Sequence, residues 1–138
     1  MTEVTLAIIK PDAYKNGDSG KIIDRIISEG FSINGMKQIH LSRKEAEGFY
    51  EVHRERPFFD ELTSFMCSGE CIVLSLEREN AVLKWREVIG ATNPEEAEQG
   101  TIRAQFGTNT GSNAVHGSDS SDNGRLESNY FFAQKDLI

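Results

Sequence analysis

Residues 71–77 read CIVLSLE, and the architecture of the chain is built outward from this run. It is apolar and partly β-branched, too short for a buried helix, and preceded by the Ser68-Gly69 turn, so it predicts a strand. A helix lies on each side. RPFFDELTSFMCSG (56–69) opens with proline near its first turn and ends at Gly69. ENAVLKWREVIG (79–90) is amphipathic and closes on Gly90. Further upstream, Ser42 followed by Glu45 forms a capping box that opens a second helix, running to about Arg54.

Before that pair of helices, FSINGMKQIHL (31–41) alternates apolar and polar residues, as a half-buried strand interrupted at Asn34-Gly35. KIIDRIISEG (21–30) puts Ile22, Ile23, Ile26 and Ile27 on one helical face and stops at Gly30. VTLAII (4–9) is a continuous apolar run ending at Lys10-Pro11, a buried first strand. From Thr92 onward the chain is loop-rich, with short helical pieces near 95–98 and 101–106 and one more after Ser120. The order β-α-β-α-α-β-α favours an α+β layout, an antiparallel sheet covered on one face, over a doubly wound parallel sheet. No composition shift or repeat divides the chain, so residues 1–138 are expected to form one domain.

The net charge of −7 argues against nonspecific nucleic-acid binding, which needs a basic footprint. If the ligand is itself anionic, the few cations have to be gathered in one place. No apolar run approaches the ~20 residues of a membrane span, and no leader pattern is visible, so a soluble cytoplasmic protein is expected. Cys67 and Cys71 are too few for a disulfide framework and read as ordinary reduced thiols. Gly17-Asp18-Ser19-Gly20-Lys21 fails as a phosphate loop, because two residues separate its glycines and isoleucine follows the lysine. His116, Ser118 and Asp119 fail as a hydrolase triad: they lie within four consecutive residues and lack a G-x-S-x-G elbow. His40 and His53 read as a strand-end and a helix-surface residue, with nothing pairing them to His116 around a metal.

The stretch NAVHGSDS (113–120) sets His116 among small polar residues, which suits a reactive imidazole on a tight turn better than a core histidine. Lys10 ends the first strand, Arg86 precedes the Gly90–Pro94 turn, and Arg103 follows Gly100-Thr101. Taken singly, each is an ordinary surface cation. Together IIKPDA, RPFF, WREVIGATNP, GTIR and NAVHGSD, in this order from Thr5 to Phe132, resemble a nucleoside diphosphate kinase.

The resemblance implies a ferredoxin-like βαββαβ core with a four-stranded antiparallel sheet. It implies ping-pong transfer of a γ-phosphoryl group from a nucleoside triphosphate to a diphosphate through a phosphohistidine on His116. A histidine must be neutral to attack, and an ordinary imidazole is mostly neutral at pH 7. In the family the attack is through Nδ1, with the other nitrogen tied to a backbone carbonyl. Glu127 is implied as the acid that orients the ring, with Ser118 hydrogen-bonded to it. Lys10 and Tyr50 are implied to meet the transferring phosphate. Arg86, Thr92 and Arg103 would hold the other phosphates, Asn113 and Lys10 the sugar, and Phe58 and Leu62 the base by stacking, which suits broad base specificity. Mg²⁺ is expected on the nucleotide phosphates, with no metal site of the protein's own. The family also implies a homo-oligomer, a tetramer or hexamer built from dimers. The alternative is a nonenzymatic nucleotide-binding or interaction protein of the same fold.

Some positions depart from the family's pattern. The helix leading to Glu127 contains Asn123-Gly124, which lowers helix stability by about 1 kcal/mol, and Ser128 follows where an apolar residue is frequent. This segment is therefore expected to be mobile without nucleotide. Ser112 stands where arginine is common and Gln105 where an acid is frequent; Ser112 is expected to alter contacts between subunits.

Overall fold

The computed structural model describes residues 2–138. Its strands are β1 (Thr2–Ile9), β2 (Ser32–His40), β3 (Glu70–Glu79) and β4 (Val115–Gly117). The helices are α1 (Pro11–Lys15), α2 (Ser19–Ser28), α3 (Arg43–Phe49), α4 (Phe59–Met66), α5 (Ala81–Ile89), α6 (Ile102–Phe106) and α7 (Ser121–Phe131). The sheet order is β2-β3-β1-β4 and every pairing is antiparallel, the ferredoxin-like arrangement. CIVLSLE forms the heart of β3, which lies between β1 and β2.

The sheet is covered on both faces, not one. Ala7 and Ile9 of β1 with Leu74 and Leu76 of β3 pack against Ile22 and Ile26 of α2 and Trp85 and Ile89 of α5. Leu6 and Ile8 with Cys71 and Val73 point the other way, onto Ala46 of α3, Phe59 and Met66 of α4, and Phe132. The physical reason is the two-residue period of a strand: a run apolar at every position buries both faces. VTLAII and CIVLSLE come close to this, with Thr5 and Ser75 buried as well, so their lack of alternation is the signal of double coverage.

Local chemistry sets the boundaries. The capping box is formed in full: Ser42 Oγ accepts from Glu45 N–H and Glu45 Oε1 accepts from Ser42 N–H. The interruption at Asn34-Gly35 is a bulge between Ile33 and Gly35 in the pairing with β3. Cys71 is buried in β3, which pushes its thiol up to about 11, and neither cysteine forms a disulfide. Ser128 replaces apolar packing with a buried hydroxyl pair, its Oγ 2.8 Å from Ser75 Oγ. Among the described residues, no helix is long and apolar enough to cross a membrane.

Candidate active site

β4 is only three residues long and pairs with the C-terminal half of β1, placing His116 opposite Ile8. Its neighbour Ala114 has φ +74°, in the left-handed region that favours glycine. Val115 N–H donates to the Asn113 carbonyl at 2.9 Å and closes a three-residue turn there. Such backbone costs about 1–3 kcal/mol and persists only where its surroundings over-determine it. Gly117 follows because nothing larger fits: a Cβ there would lie 2.7 Å from Trp85 Cδ1. Trp85 Nε1–H in turn donates to the His116 carbonyl at 3.0 Å, tying the histidine's backbone to α5.

The imidazole is held from the other side. His116 Nε2 lies 2.8 Å from Glu127 Oε1, and Ser118 Oγ donates to the same oxygen at 2.7 Å. The fully buried Ser118 hydroxyl accepts from Leu6 N–H at 3.0 Å, so the orienting chain is anchored in β1. A carboxylate can only accept, so Nε2 carries the proton and the lone pair of a neutral ring is on Nδ1. The partner of Nε2 is thus a side-chain carboxylate, where the sequence reading had a backbone carbonyl. The Phe49 ring meets the imidazole edge-on, with centroids 5.5 Å apart.

All the sequence-predicted residues except Ser118 line one cleft of about 790 Å³: Lys10, Tyr50, Phe58, Leu62, Arg86, Thr92, Arg103, Asn113, His116 and Glu127. Ser118 is behind it, touching Glu127. Lys10 Nζ donates to Asn113 Oδ1 at 2.8 Å, and Asn113 Nδ2 donates to the Thr92 carbonyl at 3.0 Å. Arg103 is largely committed to the backbone, donating to the Gly90 and Val115 carbonyls at 3.0 and 2.9 Å, while its buried Nε–H has no partner. The buried Tyr50 hydroxyl also lacks a partner. Phe58 is 46% exposed at the mouth of the cleft, available to a flat ligand and not spent on the core. Ser112, also at the mouth, accepts from Thr108 N–H and donates its own N–H to Asn109 Oδ1, closing a turn.

The electrostatics are those of a site built for an anion. Burial, and then the neighbouring Arg103 guanidinium, pull Lys10 down to about 8 against the raising effect of Asp12. Burial, and then Arg86, pull Arg103 down to about 10. Burial and the charge of Glu127 push Tyr50 up. Among the described residues, none of Lys10, Arg86 and Arg103 makes a salt bridge. An acidic chain has gathered three cations without salt bridges into the cleft that holds one imidazole, and phosphate oxygens would offset their charge.

Sequence reasoning did not single out Phe49, Trp85 or Asp12, whose Oδ2 accepts from Ala114 N–H at 3.0 Å. Asp12 lies inside the IIKPDA motif and Trp85 inside WREVIGATNP, so the motifs carried them without a role. Nothing in the local pattern marks Phe49.

Comparisons with known proteins point to one family. Residues 3–137 match the family model described as nucleoside diphosphate kinase. Nucleoside diphosphate kinases of Geotalea uraniireducens and Chlamydia caviae are 54% and 56% identical over 136 residues, covering 99% of this chain and 99% and 96% of theirs. The crystal structure of the Aquifex aeolicus nucleoside diphosphate kinase superposes with a TM-score of 0.98 at 46% identity, with both chains fully covered. The Halobacterium salinarum enzyme, solved in complex with CDP, gives 0.95 at 34% identity, covering 100% of this chain and 92% of its own. A phosphate-suited cleft on a ferredoxin-like sheet and family-wide similarity over nearly every residue lead to one conclusion: the chain belongs to the nucleoside diphosphate kinase family.

Proposed function

We propose that the protein transfers the γ-phosphoryl group of a nucleoside triphosphate to a nucleoside diphosphate by a ping-pong route through a phosphohistidine on His116, with all of residues 1–138 acting as one catalytic domain. The observation that carries this reading is the convergence of Lys10, Arg86 and Arg103, unpaired, on an imidazole whose Nε2 is held by Glu127. The base stacks on Phe58 beside Leu62, without edge contacts, which suits broad base specificity. Asn113 and Lys10 hold the sugar. Arg86, Thr92 and Arg103 hold the phosphates, with Lys10 and the free Tyr50 hydroxyl at the γ-position.

His116 Nδ1 attacks the γ-phosphorus. The N–P bond forms as the bridging P–O bond breaks, and the diphosphate leaves with that oxygen. The imidazole gains positive charge, and its Nε2–H donates to a Glu127 carboxylate already in place. Positioning of this kind is the main contribution a protein makes to phosphoryl transfer. A terminal phosphate oxygen of the second nucleotide then takes the group by the reverse path. Mg²⁺ would be carried on the substrate's phosphates and would offset their charge, with no protein ligand required. The donor set fits that: Lys10, Arg86 and Arg103 line the cleft for phosphate, and Glu127 is engaged by His116 and Ser118. We further propose a cytoplasmic homo-oligomer, a tetramer or hexamer built from dimers.

Incubation with γ-labelled ATP is expected to place an acid-labile, alkali-stable label on the protein, which GDP then removes as labelled GTP. A protein that binds nucleotide but takes no label would be a binding module of the same fold.

The pH dependence has a definite sign. Lys10 has to be protonated to meet phosphate, and in the free protein it loses its proton as pH rises through about 8. kcat/KM is therefore expected to fall about tenfold per pH unit above that point. Bound phosphate stabilises the ammonium, so the corresponding fall in kcat is expected at higher pH. A kcat/KM that stays level from about pH 7 to about pH 9.5 would remove Lys10 from this role.

A further inference from the structure

We propose that Asp12, in the first turn of α1, is a positioning residue of this site: its carboxylate clamps the strained turn at Ala114, which sets Asn113 and Lys10 on one side of the cleft and His116 on the other. The inference rests on the phosphoryl-transfer reading above and extends it to a residue that touches no reacting atom.

Ala114 holds φ +74° with two clamps. Its carbonyl accepts from Lys10 N–H at 2.8 Å, and its N–H donates to Asp12 Oδ2 at 3.0 Å. Just downstream, Val115 and His116 enter the register with Ile9 and Ile8. Just upstream, Asn113 makes the bonds to Lys10 Nζ and the Thr92 carbonyl. With the Asp12 clamp gone, the turn can relax toward negative φ. That rotation swings the 113–114 peptide and carries the Asn113 amide away from Lys10.

The plainer reading is that Asp12 complements the dipole of its own helix. A five-residue helix has little dipole to complement, and an acid serving it would face solvent. Here one carboxylate oxygen reaches a backbone amide 102 residues away, and the other is shut from solvent with no hydrogen-bond partner.

The same charge acts on Lys10. Arg103 of α6 opposes protonation of Lys10 and Asp12 of α1 favours it. The other charged or titratable groups lining the cleft are Arg86, His116, Glu127, Glu61, His53, Asp119 and Tyr50. Of all these, Asp12 and Arg103 are the two whose charges displace Lys10.

Asp12→Ala and Asp12→Asn separate the clamp from the charge, because the asparagine oxygen still accepts from Ala114 N–H. Asp12→Ala is expected to slow phosphorylation of the protein by ATP about tenfold and to start the alkaline fall of kcat/KM at lower pH. Asp12→Asn is expected to recover most of the rate while keeping the early alkaline fall; it also serves if the alanine variant does not fold. Exchange of the Ala114 amide proton, slow in the wild type, is expected to quicken in Asp12→Ala whatever the activity. A wild type that takes no label sinks the phosphoryl-transfer reading, and the amide exchange then decides Asp12 alone. A labelled wild type matched by Asp12→Ala in rate, pH profile and Ala114 exchange overturns the proposal. So does an asparagine variant as slow as the alanine one with a wild-type pH profile, since that pattern means structural damage only.

Discussion

His116→Ala is expected to abolish the labelled phosphoprotein and to lower kcat/KM by about 10⁴-fold or more, with nucleotide affinity changed less than about threefold. The split follows from what the side chain touches. Its ring meets Glu127 and the Phe49 edge, and neither of these residues is assigned to the phosphates, the sugar or the base. Its backbone position is set independently, by pairing with β1 and by the Trp85 indole on the carbonyl, so removing the imidazole leaves the strand in place. Ser118 can still donate to Glu127, which spares that carboxylate from becoming an unpartnered buried charge. The measurements are label incorporation from γ-labelled ATP, calorimetric titration with a nucleoside diphosphate, and a melting curve. Label retained at wild-type level would move the nucleophile elsewhere; lost binding with a lowered melting point would mean that the imidazole holds the fold.

Much of the site was legible in the sequence because its motifs are local. NAVHGSD carries the proposed nucleophile, the amide proposed for the sugar and the serine behind the glutamate within a few residues. The cations could be suspected from the company they keep. What the sequence could not show is contact between distant segments. Asp12 and Ala114 are 102 positions apart, and Leu6 and Ser118 are separated by 112. Which ring nitrogen of His116 meets Glu127 is of the same kind, since the sequence marks the acid and not the contact. The sheet's second covered face was in principle readable, because neither VTLAII nor CIVLSLE alternates. β4 was not readable as a strand: three residues beside a turn have no periodicity to detect, and the strand exists only through its pairing with β1.

The Asn123-Gly124 step shows the same limit with the opposite sign, and it sets up the second large effect. By propensity alone, Gly124→Ala should strengthen α7 by about 1 kcal/mol. The packing argues otherwise. A Cβ at 124 would overlap the Val4 carbonyl oxygen and lie 3.0 Å from the carbonyl carbon and 3.3 Å from Thr5 Cα. These atoms are the backbone of β1, which pairs with β3 at Val4 and Thr5 and with β4 from Ala7 onward, and cannot retreat as a flexible side chain could. The helix has to move instead. It carries Glu127 three residues on, on the same side as Gly124, and Ser128 with its bond to Ser75. Overpacking against backbone outweighs the propensity gain, so the net expectation is a loss of about 2–3 kcal/mol in denaturant unfolding. Displacing the Glu127 carboxylate from His116 and Ser118 is expected to slow phosphorylation about 10²-fold while nucleotide affinity holds. Amide exchange tests the helix in the wild type: residues 121–128 exchanging as slowly as the core strands would refute the mobility expected without nucleotide. A variant that unfolds at higher denaturant than the wild type would mean that β1 yields and propensity wins. Unchanged stability with a slow reaction would place the whole effect on the Glu127–His116 contact.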